Sequence, residues 1–231
     1  MSIKKTRLVL LLASLILCLA SFLPAVAVQA EDTFKVNAKA AFAVDAQSGK
    51  ILYGEKTMGI ASITKIIGLY IVLDQVKEGK LSWDDKVSIS DYAENLSVTP
   101  DLSNVPLHKE NTYTVKELFD SAIIQSANAS MVALAEKISG SEAKFTERMK
   151  EQLKDWGIKD ATIVNASGLN NSYLGENRPE GTGENDENQM SAQDVAIVAR
   201  HLILDFPEIL DVSSTTTQMF GENTQSPVEM V

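Results

Sequence analysis

The 231-residue chain contains one cysteine, Cys18, so no disulfide can close within it and no cysteine pair is present for metal or redox chemistry. Histidine is nearly as scarce. His108 falls in a polar stretch and His201 at the amphipathic boundary of a predicted helix, and no His-Glu-x-x-His occurs. Two isolated histidines make a poor metal site, and nothing around either marks a general base. The chain also lacks a Gly-x-Ser-x-Gly nucleophile elbow and a glycine-rich phosphate loop. No pattern calls for a metal or a cofactor. Positive charge is in deficit, with 21 Lys and Arg against 31 Asp and Glu and a formal net charge of −10. A surface that acidic repels a phosphate backbone, which sets nucleic acid aside as a partner.

What is present is close to an average soluble chain, 45% hydrophobic and 23% charged. That excludes a fibre, a disordered tail and a polytopic membrane protein. The first thirty residues stand apart. Lys4, Lys5 and Arg7 precede an almost unbroken apolar run over residues 8–20, then Pro24, then Val28-Gln29-Ala30 with small residues where a signal peptidase reads. The expectation is a secretory signal over residues 1–30, cleaved after Ala30, ahead of a single domain over 31–231. The run is too short for a membrane anchor. Leu17 is too bulky for a lipoprotein signal at Cys18. Cleavage removes three positive charges and no negative ones, so the mature chain is more acidic still and has no cysteine.

Within the mature chain, residues 40–45 and 50–55 are short apolar-rich runs around Gln47-Ser48-Gly49, a predicted β-hairpin. Residues 64–77 read as a helix apolar on most faces and therefore buried, with Gly79 as its stop. Thr114-Val115-Lys116-Glu117 is a capping box opening a helix that should stop near Ser126. A second helix runs from about Ala129 to Gly140, and a third carries Phe145, Met149, Leu153 and Trp156. Residues 161–165 read as a strand. Residues 175–188, rich in Gly, Asn and acids, read as a mobile loop. Ser191-Ala192-Gln193-Asp194 is a further capping box before another helix. Helices in the middle and strands at one end indicate an α+β domain.

The chemistry-bearing pattern is Ser62-Ile63-Thr64-Lys65. Its spacing puts both side chains on one face of a first helical turn. A serine hydroxyl needs a base beside it, and a lysine serves once burial lowers its pKa. The apolar helix behind it supplies that burial. Its N-terminus aims backbone N–H groups at the reacting centre. Ser2/Lys5 and Ser141/Lys144 share the spacing, but the first lies in the signal segment and the second opens an exposed amphipathic helix. On this motif alone a helix cap is the plainer reading of Ser62. Ser126-Ala127-Asn128, the one Ser-x-Asn in the chain, falls at a predicted break between helices. There a hydroxyl can relay a proton and an amide can hold the lysine and a substrate carbonyl, although such residues also suit an ordinary turn.

Together these motifs resemble the penicillin-binding proteins and serine β-lactamases, and most closely the low-molecular-weight D-alanyl-D-alanine carboxypeptidases. The opening hairpin, Ala61-Ser62-Ile63-Thr64-Lys65, Ser126-Ala127-Asn128-Ala129-Ser130, Asn165-Ala166-Ser167-Gly168-Leu169, the helix from Ser191 and Phe206-Pro207-Glu208-Ile209-Leu210 follow in the family's order over residues 38–231. The resemblance implies a β-lactamase/transpeptidase-like fold, a helical subdomain plus an antiparallel sheet. It implies Ser62 as acylated nucleophile, Lys65 as its base, Ser126 in the proton relay and Asn128 on the substrate. It further implies a peptidoglycan stem peptide ending in D-Ala-D-Ala as substrate, β-lactams as covalent inhibitors, no cofactor, and a place outside the cytoplasm, in the cell wall or at the outer face of the membrane.

The family's third motif, Lys-Thr-Gly, does not occur; Gly181-Thr182-Gly183 matches in letters only. The chain therefore reads as a fragment whose sheet is incomplete, with little activity expected of the 231 residues alone. Two other readings share these residues. A β-lactamase needs a carboxylate to activate water, and Glu176, Glu180 and Glu184 lie in the right stretch. A non-catalytic wall-binding or penicillin-sequestering protein needs no third motif at all.

Overall fold

A computed structural model describes residues 37–54, 57–224 and 227–231. The expected signal segment, residues 1–30, lies outside the described residues. Helix α1 (Lys65–Lys77) carries apolar residues on most faces and buries Lys65, Ile67, Gly68, Leu69, Ile71, Val72 and Leu73. Apart from the line of Tyr70, Asp74 and Lys77, its surface could not meet water at low cost. It ends where expected, with Gly79 just beyond at φ +70°.

Four further helices continue the core: α2 (Asp91–Ser97), α3 (Val115–Ile124), α4 (Asn128–Ser139) and α5 (Glu142–Asp155). Helix α4 is the innermost. Its residues 128–135, Asn-Ala-Ser-Met-Val-Ala-Leu-Ala, are all buried, and α1, α2, α3 and α5 pack around it. The small side chains let those neighbours approach closely, while Met131, Val132 and Leu134 fill the space between them. Helices α6 (Ala192–Asp205) and α7 (Ile209–Ser213) close the side beside α1 and α3.

Among the described residues, strand pairing is confined to four antiparallel two-stranded ladders. Strands β1 (Phe42–Val44) and β2 (Ile51–Gly54) form the expected hairpin. Its turn is fixed by Asp45 Oδ1 accepting from Ser48 N–H at 2.8 Å. Arg200 of α6 donates to Ala46 O and Gln47 O, fastening the hairpin to that helix. Strand β3 (Thr57–Gly59) pairs with β6 (Gln189–Ser191), β4 (Lys86–Val87) with β5 (Tyr113–Thr114), and β7 (Gln218–Phe220) with β8 (Val228–Met230). The class is α+β, as expected, with its strands in separate pairs.

Three local expectations need correction. Residues 161–165 form no strand beyond a single bridge between Thr162 and Gln189. Beyond it the Val164 and Asn165 amides are taken by the Asn188 side chain, so the ladder cannot continue. The stretch 175–188 is not a loose loop. Asn171 Nδ2 donates to Thr182 Oγ1 at 2.8 Å and Gly183 O at 2.9 Å, and the stretch ends on the fully buried Asn188. At Ser191 only half a capping box forms. Its Oγ accepts from Asp194 N–H, but the Asp194 carboxylate takes the Ser191 hydroxyl instead of its N–H. Aspartate is one methylene shorter than the glutamate the motif favours.

The box at Thr114 is complete, with Glu117 N–H on Thr114 Oγ1 at 3.1 Å and Thr114 N–H on Glu117 Oε2 at 2.8 Å. Thr114→Ala should therefore lower stability by about 1 kcal/mol. The check is the urea unfolding midpoint at unchanged slope, and an unmoved midpoint would remove the cap from the account of α3.

Candidate active site

Three segments meet at one nitrogen. The first is the 3-10 turn Ala61–Thr64, which leads straight into α1 and leaves Ser62 exposed. The second is the break between α3 and α4, where Ser126 and Asn128 lie. The third is the irregular stretch 165–169. Lys65 Nζ sits between them, 2.9 Å from Ser62 Oγ, 3.3 Å from Ser126 Oγ, 2.7 Å from Asn128 Oδ1 and 2.9 Å from the Ser167 carbonyl oxygen. All four residues singled out in the sequence are thus brought together.

Burial sets the charge on that nitrogen. Lys65 is 2% exposed. Desolvation lowers its pKa from 10.5 to about 7. The contacts then decide where its hydrogens go. Asn128 Oδ1 and Ser167 O can only accept. Asn128 Nδ2 donates to Ser103 O at 2.9 Å, which fixes the orientation of its amide. A neutral amine spends its two hydrogens on those two carbonyl oxygens. Its lone pair is left facing the hydroxyls, Ser62 Oγ being the nearer. The same geometry that satisfies the buried amine aims a base at the Ser62 proton.

Two non-glycine residues next to the site hold a left-handed backbone, Ala61 at φ 44° and Ser126 at φ 54°. Such conformations persist only where the surroundings enforce them. At Ser126 the following amide, Ala127 N–H, donates back to Ser121 O at 3.1 Å. Ala61 has the backbone of Gly168 against it. Gly168, at φ +84°, lies so close that a Cβ there would stand 1.9 Å from Ala61 O and 2.8 Å from Thr64 Oγ1.

The residues that hold the third segment carry no sequence motif for the task. Ser167 belongs to the family-like stretch 165–169, yet it contacts Lys65 through its backbone carbonyl, which no side-chain pattern reveals. Asn165 Oδ1 accepts from Gly168 N–H at 2.7 Å and shapes that turn. Asn188 stands in a run of acids and amides that reads as loop. Its Oδ1 accepts from Val164 and Asn165 N–H, and its Nδ2 donates to Thr64 Oγ1 and Asn165 O. Its backbone oxygen accepts from Ile60 N–H at 3.0 Å. One buried amide thereby joins the Ser62 turn to the 165–169 segment.

A cavity of about 270 Å³ opens at Ser62, Lys65 and Ser126 and continues along apolar side chains that include Ile66, Leu69, Ile123 and Leu202. Glu176, Glu180 and Glu184 are exposed and are not among its lining residues. Thr182 is used within its own loop, donating to Pro179 O. His201 stacks on Trp156 with ring centroids 4.7 Å apart, beside Asp205, and serves packing. Among the described residues, no group of three or more His, Cys, Asp or Glu is placed to hold a metal ion.

A family model described as D-alanyl-D-alanine carboxypeptidase matches residues 25–229. The D-alanyl-D-alanine carboxypeptidase DacF of Bacillus subtilis is 30% identical over 198 residues, which are 84% of this chain and 46% of that protein. DacA of Haemophilus influenzae is 30% identical over 83% of this chain and 46% of its own length. The chain spans about half the length of the curated relatives it matches. Among solved structures, a peptidoglycan synthesis regulatory factor (PBP3) from Streptococcus pneumoniae superposes with a TM-score of 0.80 at 41% identity, over 86% of this chain and 55% of that one. Penicillin-binding protein D2 from Listeria monocytogenes, in its cefotaxime-bound form, gives 0.66 at 26% identity, over 85% and 72%. The expected transpeptidase-like fold is the observed one.

Gly168→Ala should cost at least about 2 kcal/mol, because clash is added to an unfavourable φ. Gly140→Ala is the control. It shares the left-handed φ, at +79°, but a Cβ there meets nothing within 4 Å, so backbone strain alone, about 1 kcal/mol, is expected. Equal unfolding midpoints for the two variants would show that the 168 turn relaxes freely.

Proposed function

Since the chain belongs to the D-alanyl-D-alanine carboxypeptidase family, we propose that it carries the acylation machinery of a serine-type D-Ala-D-Ala carboxypeptidase, with Ser62 as nucleophile. The observation that carries this reading is the buried Lys65 amine bridging Ser62 to Ser126 and Asn128. Neutral Lys65 takes the Ser62 proton as Oγ attacks the carbonyl carbon of the terminal D-Ala–D-Ala amide. The Ser62 N–H, at the start of the 3-10 turn, favours the oxyanion that forms. Ser126 Oγ passes a proton from Lys65 to the leaving nitrogen, and D-alanine departs. The remaining ester on Ser62 is hydrolysed by water with Lys65 again as base, which frees the shortened stem peptide. Asn128 holds Lys65 through Oδ1, and the second hydrogen of its amide nitrogen is the donor for a substrate carbonyl. Penicillins and other β-lactams acylate Ser62 in the same way. In this reading the protein is exported through residues 1–30 and acts on peptidoglycan outside the cytoplasm.

The β-lactamase reading gains nothing from the site. Among the described residues no Asp or Glu lines the cavity at Ser62, so none of them is placed beside a penicillin ester to activate water. The lifetime of that ester should be hours, not fractions of a second.

Intact mass after incubation with penicillin tests the proposal. One adduct is expected, absent in Ser62→Ala, and formed at least ~100-fold more slowly in Lys65→Ala. An adduct that survives Ser62→Ala would end the assignment. The rate also has a defined pH dependence. The base must be unprotonated, and Lys65 titrates at about 7, so acylation should rise with pH through that value and level off above it. It should fall about tenfold per pH unit below it. A rate still climbing steeply at pH 9 would mean that Lys65 keeps an ordinary pKa. Release of D-alanine from a stem pentapeptide is the corresponding test of substrate.

A further inference from the structure

Glu142, the first residue of α5, is 5% exposed, and among the described residues no Lys or Arg pairs with it. Its two oxygens have other partners. Oε1 accepts from the Ala166 N–H at 2.9 Å, and Oε2 accepts from the Tyr92 hydroxyl of α2 at 3.0 Å. Burial pushes its pKa up, and Glu136 of α4 adds to this, while the two hydrogen bonds oppose it. A buried carboxyl without a cation is costly, so its position calls for a reason.

The reason lies in what it holds. The segment 164–169 is irregular, and side chains take its amides one by one. Asn188 takes Val164 and Asn165, Glu142 takes Ala166, Asn165 takes Gly168, and the Ser167 hydroxyl takes Leu169. Of these, Glu142 alone belongs to the helical core. The residue after Ala166 is Ser167, whose carbonyl takes Lys65 Nζ at 2.9 Å. We propose that Glu142 is a positioning residue for Lys65, fixing through the Ala166 amide the carbonyl that orients the buried amine. This rests on the proposed role of Lys65 as base. The action is geometric, through the Ala166 amide, and desolvation is what lowers the Lys65 pKa.

A neutral side chain of the same shape should therefore suffice. Glu142→Gln can still accept from Ala166 N–H, and the Tyr92 hydroxyl can rotate to accept from its amide. The test compares Glu142→Gln, Glu142→Asp and Glu142→Ala in the full chain. It uses penicillin acylation, resolved into encounter and acylation step, and hydrogen exchange over residues 164–169. Glu142→Gln should acylate within about threefold of the parent, with an unchanged pH profile. Glu142→Ala should slow the acylation step ten- to a hundredfold without weakening encounter, as misplacement by about 1 Å can, and should speed exchange over 164–169. Glu142→Asp, its carboxylate drawn back by one methylene, should fall between the two and decides the matter if the alanine variant fails to fold. A glutamine variant as slow as alanine, or an alanine or aspartate variant that acylates and exchanges like the parent, overturns the proposal. If the parent itself is not acylated, it is the proposed function that fails. Exchange over 164–169 then still decides whether Glu142 holds that segment.

Discussion

The structure is organised around the cost of burying one amine. Moving the Lys65 pKa from 10.5 to about 7 corresponds to roughly 5 kcal/mol of disfavoured charging. Among the described residues no carboxylate pairs with it to offset that cost. The surroundings instead accept that cost and use it. Two carbonyl oxygens take the hydrogens of the neutral amine, and two hydroxyls face its lone pair. The apolar faces of α1 that bury Lys65 and the polar groups that satisfy it come from different parts of the chain. The site therefore exists only in the folded molecule.

Rigidity is the second requirement. A base must meet its hydroxyl closely, and of the segments that carry Ser62, Ser126 and Ser167 only the first is helical. They are held instead by close packing and by side-chain amides. Gly168 presses on Ala61, Asn188 ties the Ser62 turn to the segment at 165, and α4 begins at Asn128 with eight successive buried residues. The left-handed conformations of Ala61 and Ser126 show that this framework tolerates local strain to place two side chains. Such an arrangement is consistent with a site that must be ready before its substrate arrives.

Family membership and geometry support each other at different levels. The match to D-alanyl-D-alanine carboxypeptidases extends over nearly all the described residues, and the pneumococcal PBP3 superposes on 86% of the chain. Neither says which atoms do what. That assignment rests on four distances to one nitrogen and on the number of hydrogens it has to give.

Much of this is legible in the sequence, for identifiable reasons. The buried helix from Lys65, the capping box at Thr114 and the hairpin before them follow from local periodicity and turn chemistry, which neighbouring residues settle among themselves. Ser62 and Lys65 are three apart on one turn, so their contact is nearly fixed by helix geometry, and Ser126-Ala127-Asn128 stands out as a polar break between helices. The failures share a cause. Residues 161–165 have the composition of a strand, but Asn188, more than twenty residues away, takes their amides. Residues 175–188 have the composition of a loose loop, but Asn171 and Asn188 tie it down. Ser167 acts through a backbone oxygen, and Glu142 through an amide of another segment. Sequence alone determined the opening hairpin, the principal helices and the nucleophile pair, because those depend on near neighbours. Tertiary structure alone decided the charge state of Lys65, the third segment and the strained turns, because desolvation and side-chain-to-backbone hydrogen bonds depend on what the fold brings together from far along the chain.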